Sequence, residues 1–235
     1  NNLYTGFINM ILTYNLEAPL APTPSQTLYQ HSDFLSLYSS VGNGFALLSA
    51  INNNEGRAKI IAYDIKNPIT VEQIGEFESI ANDPIANVDE FVFYQDYAIQ
   101  KRLKYFIDLS APETPVLNEI NNAEITDSIP SKGIVVGHYL YTPRNQAKIL
   151  STNLQTPTLP VTEDIAISDG SESNAIAHLG NYLYVTTRQA RIDLINISTP
   201  ENPLFESSID LSANVSELRS DLIVIHEDKV YIFDT

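Results

Sequence analysis

The chain has 235 residues and no cysteine, which excludes disulfides, thiolate nucleophiles, Fe–S clusters and Cys-ligated zinc. Hydrophobic residues make up 43% and charged residues 18%, enough apolar side chain for a core and too much for a disordered chain. A formal charge of −16 argues against a nucleic-acid partner and against an anionic membrane surface, both of which require clustered Lys and Arg. No stretch approaches 18 consecutive apolar residues, so no membrane insertion is expected. The opening Asn1-Asn2-Leu3-Tyr4 lacks the basic-then-apolar pattern of a signal peptide and starts inside a strand-like pattern. The sequence therefore reads as a fragment of, or a module in, a larger protein.

Taken in chain order, six repeats follow one another, at about 1–32, 33–80, 81–125, 126–170, 171–213 and 214–235, and predict a single domain. The first begins at its second strand and carries a third strand over Met10–Asn15, closed by Asn15-Leu16-Glu17-Ala18-Pro19. The second has a turn at Gly42-Asn43, a third strand over Lys59–Asp64, and the phrase Asp64-Ile65-Lys66-Asn67-Pro68. An Asn-rich insertion at 52–57 lengthens it and reads as an exposed loop. The third repeat turns at Gln95-Asp96 and ends its third strand, Leu103–Asp108, in Asp108-Leu109-Ser110-Ala111-Pro112. The fourth turns at Gly137-His138 and runs over Ala147–Asn153 into Asn153-Leu154-Gln155-Thr156-Pro157.

The fifth repeat is the clearest. Asn174–Leu179 reads as a strand, Gly180-Asn181 as a hairpin turn, and Tyr182–Thr186 as a second strand rich in aromatic and β-branched residues. Arg191–Ile197 alternates polar and apolar residues, the period of a half-buried strand. A turn through Pro200 and Pro203 then leads to a fourth strand near Leu204–Ile209. The sixth repeat is predicted to hold a first strand, a turn at Ser220-Asp221, and a third strand over Lys229–Asp234, where the phrase starts again. The lead residues Asn15, Asp64, Asp108, Asn153 and Asn196 lie 49, 44, 45 and 43 positions apart. Four antiparallel strands per period of this length make an all-β propeller of about six blades, the first and last incomplete.

The recurring phrase has a mechanism. Its Asn or Asp accepts a hydrogen bond from the backbone two residues on, which starts a turn. Its Pro sets φ, and the second Pro, at 22, 115, 160 and 203, keeps the entry to strand four extended. Val71 replaces that second Pro once. On these terms the phrase is structural.

Ile192-Asp193-Leu194-Ile195-Asn196-Ile197-Ser198-Thr199-Pro200-Glu201-Asn202-Pro203 closely resembles the LVIVD repeat, and 106–115 is a second good copy. The resemblance covers nearly the whole chain, with acidity lost at Asn15, Asn153 and Asn196. It implies a bacterial or archaeal β-propeller, often part of a secreted or cell-surface protein, with no shared catalytic residues.

Six positions before each hairpin turn lie Ser36, Asp89, Ser131, Asn174 and Asn214, with Glu90, Lys132 and Glu217 beside them. All suit the mouth of a central channel, as solvating groups or as ligand contacts. Asp164, Asp169 and Glu172 form an acidic loop that suits Ca²⁺, without the spacing of an EF-hand. The only cofactor expected is therefore none, or Ca²⁺. The four histidines fall in different repeats and do not predict a metal centre. The tyrosines of the strands are expected to pack blades with their hydroxyls at the surface.

The reading that follows is a non-enzymatic binding or structural module, extracellular or at the cell surface, with the periplasm as the alternative. It displays loops on a rigid scaffold to a protein, glycan or matrix partner. One alternative is a propeller hydrolase or lyase using acidic residues such as Asp89 and Glu90. Another is a subunit whose unfinished end strands are completed by a neighbouring chain or domain.

Overall fold

The structure, a computed structural model, describes in full residues 38–50, 59–67, 71–77, 90–100, 105–120, 133–144, 148–167, 171–219, 222–227 and 229–233, and beyond these the backbone of the strands only. The described regular structure is all strand and falls into six antiparallel sheets that follow the repeats in order. The first sheet holds β1 (Asn2–Phe7), β2 (Met10–Asn15) and β3 (Thr23–Gln30). The second holds β4 (Leu35–Gly42), β5 (Phe45–Asn52), β6 (Arg57–Asp64) and β7 (Glu72–Glu78). The third holds β8 (Phe91–Tyr94), β9 (Tyr97–Gln100), β10 (Tyr105–Asp108) and β11 (Val116–Glu119). The fourth holds β12 (Ile134–Val136), β13 (Tyr139–Pro143), β14 (Lys148–Asn153) and β15 (Val161–Ala166). The fifth holds β16 (Ser173–Leu179), β17 (Tyr182–Thr187), β18 (Arg191–Asn196) and β19 (Leu204–Asp210), and the sixth β20 (Ser220–His226) and β21 (Lys229–Asp234). The chain divides into two compact units, residues 1–120 and 121–235, with three sheets in each.

The recurring phrase folds the same way wherever it is described. The side-chain oxygens of Asp64, Asp108, Asn153 and Asn196 accept from the N–H two residues on, at 2.8, 2.9, 2.9 and 2.9 Å. Its Pro occupies the second position of a β-turn, closed by Thr114 N–H to Ala111 O, Leu159 N–H to Thr156 O and Asn202 N–H to Thr199 O, each 2.9 Å. Pro115, Pro160 and Pro203 each stand immediately before the fourth strand.

The second position of the phrase does more than the sequence reading assigned to it. Ile65, Leu109, Leu154 and Ile197 send their N–H to the carbonyl of a hairpin residue, Gly44, Asp96, His138 and Asn181, at 2.7 to 2.8 Å. Their side chains are buried. Each is thus an apolar plug that ties the end of strand three to the hairpin joining strands one and two.

The fourth strands of the complete sheets are more exposed than the second and third. In the fifth sheet β16 is buried over its first five residues, whereas β19 is exposed throughout. The core of the first unit gathers Phe45, Leu47, Ile60, Phe91, Ile107 and Leu109 between the second and third sheets. That of the second unit gathers Tyr141, Ile149, Ile165, Leu183, Val185 and Ile195 between the fourth and fifth.

Three expectations need correction. The turn of the second repeat lies at Asn43-Gly44, since Gly42 pairs with Phe45 as the last rung of the hairpin. Asn43 and Gly44 take φ of 52° and 81°, the left-handed geometry of a two-residue hairpin loop, which these residue types enter at little cost. Counting from that turn puts Ser36 level with Ser173, one position before the level of Asn174. In the sixth repeat, residues 211–219 form turns and bends, so two strands are described where three were predicted. Finally, Tyr63 and Tyr141 are 3% and 0% exposed, with hydroxyls buried in the blades.

Candidate functional site

Of the predicted channel-mouth residues, Asn174, Asn214 and Glu217 are described in the second unit and Glu90 in the first. Ser36 is described in backbone only, and Asp89, Ser131, Lys132, the Ca²⁺ candidate Asp169 and the Asn-rich insertion at 53–56 lie outside the described residues.

Three segments meet at one end of the fifth sheet. They are the entry to β16, the 188–190 turn joining β17 to β18, and the connection 211–219. Backbone bonds assemble them, from Arg188 N–H to Glu172 O (2.9 Å), Leu218 N–H to Arg188 O (3.1 Å) and Leu211 N–H to Ala190 O (2.8 Å). Asn174 is buried at 9% exposure, and its amide donates to Leu218 O at 2.6 Å. It holds the connection rather than opening toward a ligand. Asn214 stands exposed in the turn that follows Leu211, its N–H bonded to Leu211 O at 2.8 Å.

Charge follows the same path. Arg188 sends Nη1 to Glu172 Oε2 at 3.0 Å and Nε to Glu217 Oε1. Arg219 adds Nε to Glu217 Oε1 at 3.2 Å. The bond from Arg188, followed by that from Arg219, holds the Glu217 carboxyl below the usual range, and the two carboxylates push Arg188 up. The groups are half-exposed, so the network orders the surface more than it stabilises the fold.

A second cluster locks the start of β16 to the fourth sheet. The Ser173 hydroxyl accepts from Arg144 N–H (2.8 Å) and has the carbonyls of Arg144 and Lys148 each at 3.0 Å. Arg144 Nη1 and Lys148 Nζ hold the two oxygens of Asp164 at 2.9 and 2.8 Å. Partial burial raises the Asp164 pKa, but the two cations outweigh it and leave the carboxyl below its ordinary value.

Of the expected acidic loop, Asp164 answers Arg144 and Lys148 and Glu172 answers Arg188, while Asp169 lies outside the described residues. Among the described residues no three His, Asp or Glu groups converge as a metal site would require. The sequence held no signal for these pairs, whose partners stand 16 to 29 residues apart.

The charge network makes one checkable statement. Because Glu217 is held low, its grip on Arg188 is present at neutral pH and is lost as pH falls through its depressed pKa. The protection of Leu218 N–H against exchange, relative to an unstructured amide at the same pH, is expected to fall as pH drops through that depressed pKa. In Glu217→Gln that protection is expected to be low already at pH 7. An exchange rate unaffected by that substitution would show that Asn174 alone holds the connection.

Sheet by sheet, the four-stranded antiparallel meanders define a β-propeller. No family model matches the chain, and no curated protein matches it either. Among solved structures it is similar to the computationally designed Ika8 protein, with a TM-score of 0.57 and 10% identity over 97% of this chain and 66% of that one. It is also similar to BamB from Moraxella catarrhalis, with a TM-score of 0.51 and 10% identity over 99% of this chain and 76% of that one. Both are β-propellers, and at this identity the likeness carries the fold alone.

Proposed function

We propose that this chain is a non-enzymatic β-propeller module of a bacterial secreted or cell-surface protein, presenting its loops and blade edges to a protein partner. The observation that carries this reading is the state of three described carboxylates. Asp164, Glu172 and Glu217 are each held by Arg or Lys. Asp164 and Glu217 are kept below the usual pKa, so neither retains a proton to donate at neutral pH, as a general acid must. The resemblance of 192–203 to the LVIVD repeat supports the address.

The test has three arms. A photoreactive residue at Leu159 or Leu204, 73% and 58% exposed, is expected to give a discrete adduct with one protein. Turnover of ester, phosphoester or glycoside probes that Glu217→Gln abolishes would overturn the reading in favour of a hydrolase. Since the chain has no native cysteine, Ser207→Cys on the exposed β19 provides a single thiol for an impermeant maleimide. Labelling of intact cells is expected, and labelling only after lysis would remove the extracellular address.

A further inference from the structure

The fourth and fifth sheets pack through one face each, and the strand register shows what those faces carry outward from the core. In the fourth sheet Tyr139, Asn153 and Val161 form one cross-strand row, and Tyr141, Ser151 and Glu163 form the next. Tyr141, Ile149 and Ile165 belong to the core shared with the fifth sheet, so Val161 and Glu163 lie on that same face at the outer strand. In the fifth sheet Phe205 stands opposite the core residue Ile195 and faces back toward the fourth. Strands β15 and β19 approach each other and border a cleft. Val161 is 65% and Phe205 42% exposed, and Glu163 is exposed beside Glu201, which comes from the turn before β19.

The same place in the first unit is closed. Gly75 stands opposite Ala62, two positions before the lead Asp64, as Glu163 stands opposite Ser151, two before Asn153. A Cβ on Gly75 would meet Pro115 Cγ at 2.6 Å, so the turn of the third sheet lies directly on the second. Leu117, the counterpart of Phe205, packs on the core there. In the second unit a carboxylate stands in place of that glycine, and the aromatic ring is left bare.

The charges of this cleft are uncompensated. Unlike Asp164, Glu172 and Glu217, neither Glu163 nor Glu201 has an ion pair or a hydrogen bond among the described residues. Both act on Tyr139, whose pKa is raised above 10.0 by burial and then by Glu201 and Glu163. The rings of Tyr139 and Tyr141 leave one face of β13 nearly parallel, 6.2 Å and 22° apart, which directs their hydroxyls the same way. The Tyr141 hydroxyl is wholly buried without a hydrogen-bond partner among the described residues. After burial and Tyr139, Glu201 acts on it too. Two free carboxylates thus stand over an unsatisfied oxygen, with no cation supplied by the described residues.

We propose that the cleft between β15 and β19 docks a basic side chain of a partner protein, carried on a segment with apolar residues on either side of it. Glu163 and Glu201 bracket the cation, while Val161 and Phe205 receive the flanking apolar groups. Complementary charge sets which partner is accepted and in what orientation, and bare apolar surface rimmed by polar groups supplies the contact area. An acidic segment would meet two like charges here. A wholly apolar one would bury both carboxylates without a partner, which is costly.

This docking site rests on the protein-binding reading but is tested apart from it, by titrating the purified full chain with the capped peptide Leu-Lys-Leu and following its amide resonances. Saturable shifts are expected at Tyr139, Glu163, Glu201 and Phe205, and the peptide Leu-Gln-Leu is expected to bind several-fold more weakly. Glu163→Gln combined with Glu201→Gln is expected to weaken binding at least tenfold without lowering the melting temperature, because neither carboxylate is bonded within the fold. Glu113→Gln removes the counterpart of Glu201 at the closed cleft of the first unit and is expected to leave binding unchanged. Phe205→Ser tests the apolar side and is expected to weaken it. No saturable shift, equal binding of Leu-Gln-Leu, or binding indifferent to the double substitution overturns the proposal. So does equal weakening by Glu113→Gln, which would reduce the effect to net charge. The same shifts from calcium chloride alone would make the cleft a metal site, and concentration-dependent dimers lost in the double variant would make the occupant a second copy; either overturns it. In-cell adducts from Leu159 or Leu204 that persist in the double variant would leave the broader reading standing while overturning this one.

Discussion

Leu154→Ala is expected to lower the unfolding free energy by about 2–5 kcal/mol, read from denaturant melts followed by circular dichroism. Leu154 is wholly buried, and its N–H ties strand β14 to the hairpin at His138 at 2.8 Å. Truncation removes the apolar contacts and leaves a cavity that the surrounding strands fill only in part. Against a total of about 5–15 kcal/mol for an ordinary domain, this is a large fraction. The preceding residue provides the contrast. Asn153→Ala removes the bond to Gln155 N–H, worth about 0.5–1.5 kcal/mol, since water replaces it at an exposed turn. Leu159→Ala, at 73% exposure, should stay within about 0.5 kcal/mol. An Asn153→Ala cost equal to that of Leu154→Ala would show that the turn, and not the plug, holds the blade. The same ordering is expected at Asp108 and Leu109 in the first unit.

This contrast also marks how far the sequence could be read. The Asn/Asp turn was legible because its chemistry is local, with donor and acceptor two residues apart. The plug was not, because Ile65, Leu109, Leu154 and Ile197 bury against hairpins some 13 to 21 residues upstream, and a single apolar letter does not name its partner. The hairpin of the second repeat was displaced by one because Gly42-Asn43-Gly44 offers two plausible turn pairs, and only the pairing of Gly42 with Phe45 decides between them. A first strand in the sixth repeat was inferred from period alone. The residues at 211–219 instead satisfy their backbone by local turns and by bonds to Arg188 and Asn174.

The candidate site was legible as positions and not as contacts. Asn174 and Glu217 were singled out for being small or polar near a hairpin. The structure brings both to one end of the fifth sheet, where they bind the connection 211–219 and an arginine. Arg188 and Arg219, which decide what Glu217 can do, carried no signal of their own. Lys59, Lys148 and Arg191 stand five places before three of the lead residues, and for Lys59 and Lys148 the spacing acquires meaning only once Glu76 and Asp164 of the fourth strands are in place.

Tyr141 gives the other large effect, in alkali. Its hydroxyl lies inside the core of the second unit, with no hydrogen-bond partner among the described residues, and its ring stacks on Tyr139 at 6.2 Å. Burial, with smaller contributions from Tyr139 and Glu201, pushes its pKa up from 10.0 to about 12. Because the folded chain then holds a proton that the unfolded chain releases more readily, the contribution is whole below pH 10 and is lost as pH rises toward 12. At about 1.36 kcal/mol per unit the loss is roughly 2–3 kcal/mol. Tyr141→Phe keeps the ring and removes the titrating group, so the difference in stability between wild type and variant should swing toward the variant across that window. At neutral pH the variant should be equal or slightly more stable, since a buried hydroxyl without a partner costs free energy that phenylalanine does not incur. Parallel stability curves for the two proteins up to pH 12 would mean that the hydroxyl is solvated in the folded state. In that case the cost of the buried hydroxyl at neutral pH should vanish with it, which links the two measurements through one oxygen atom.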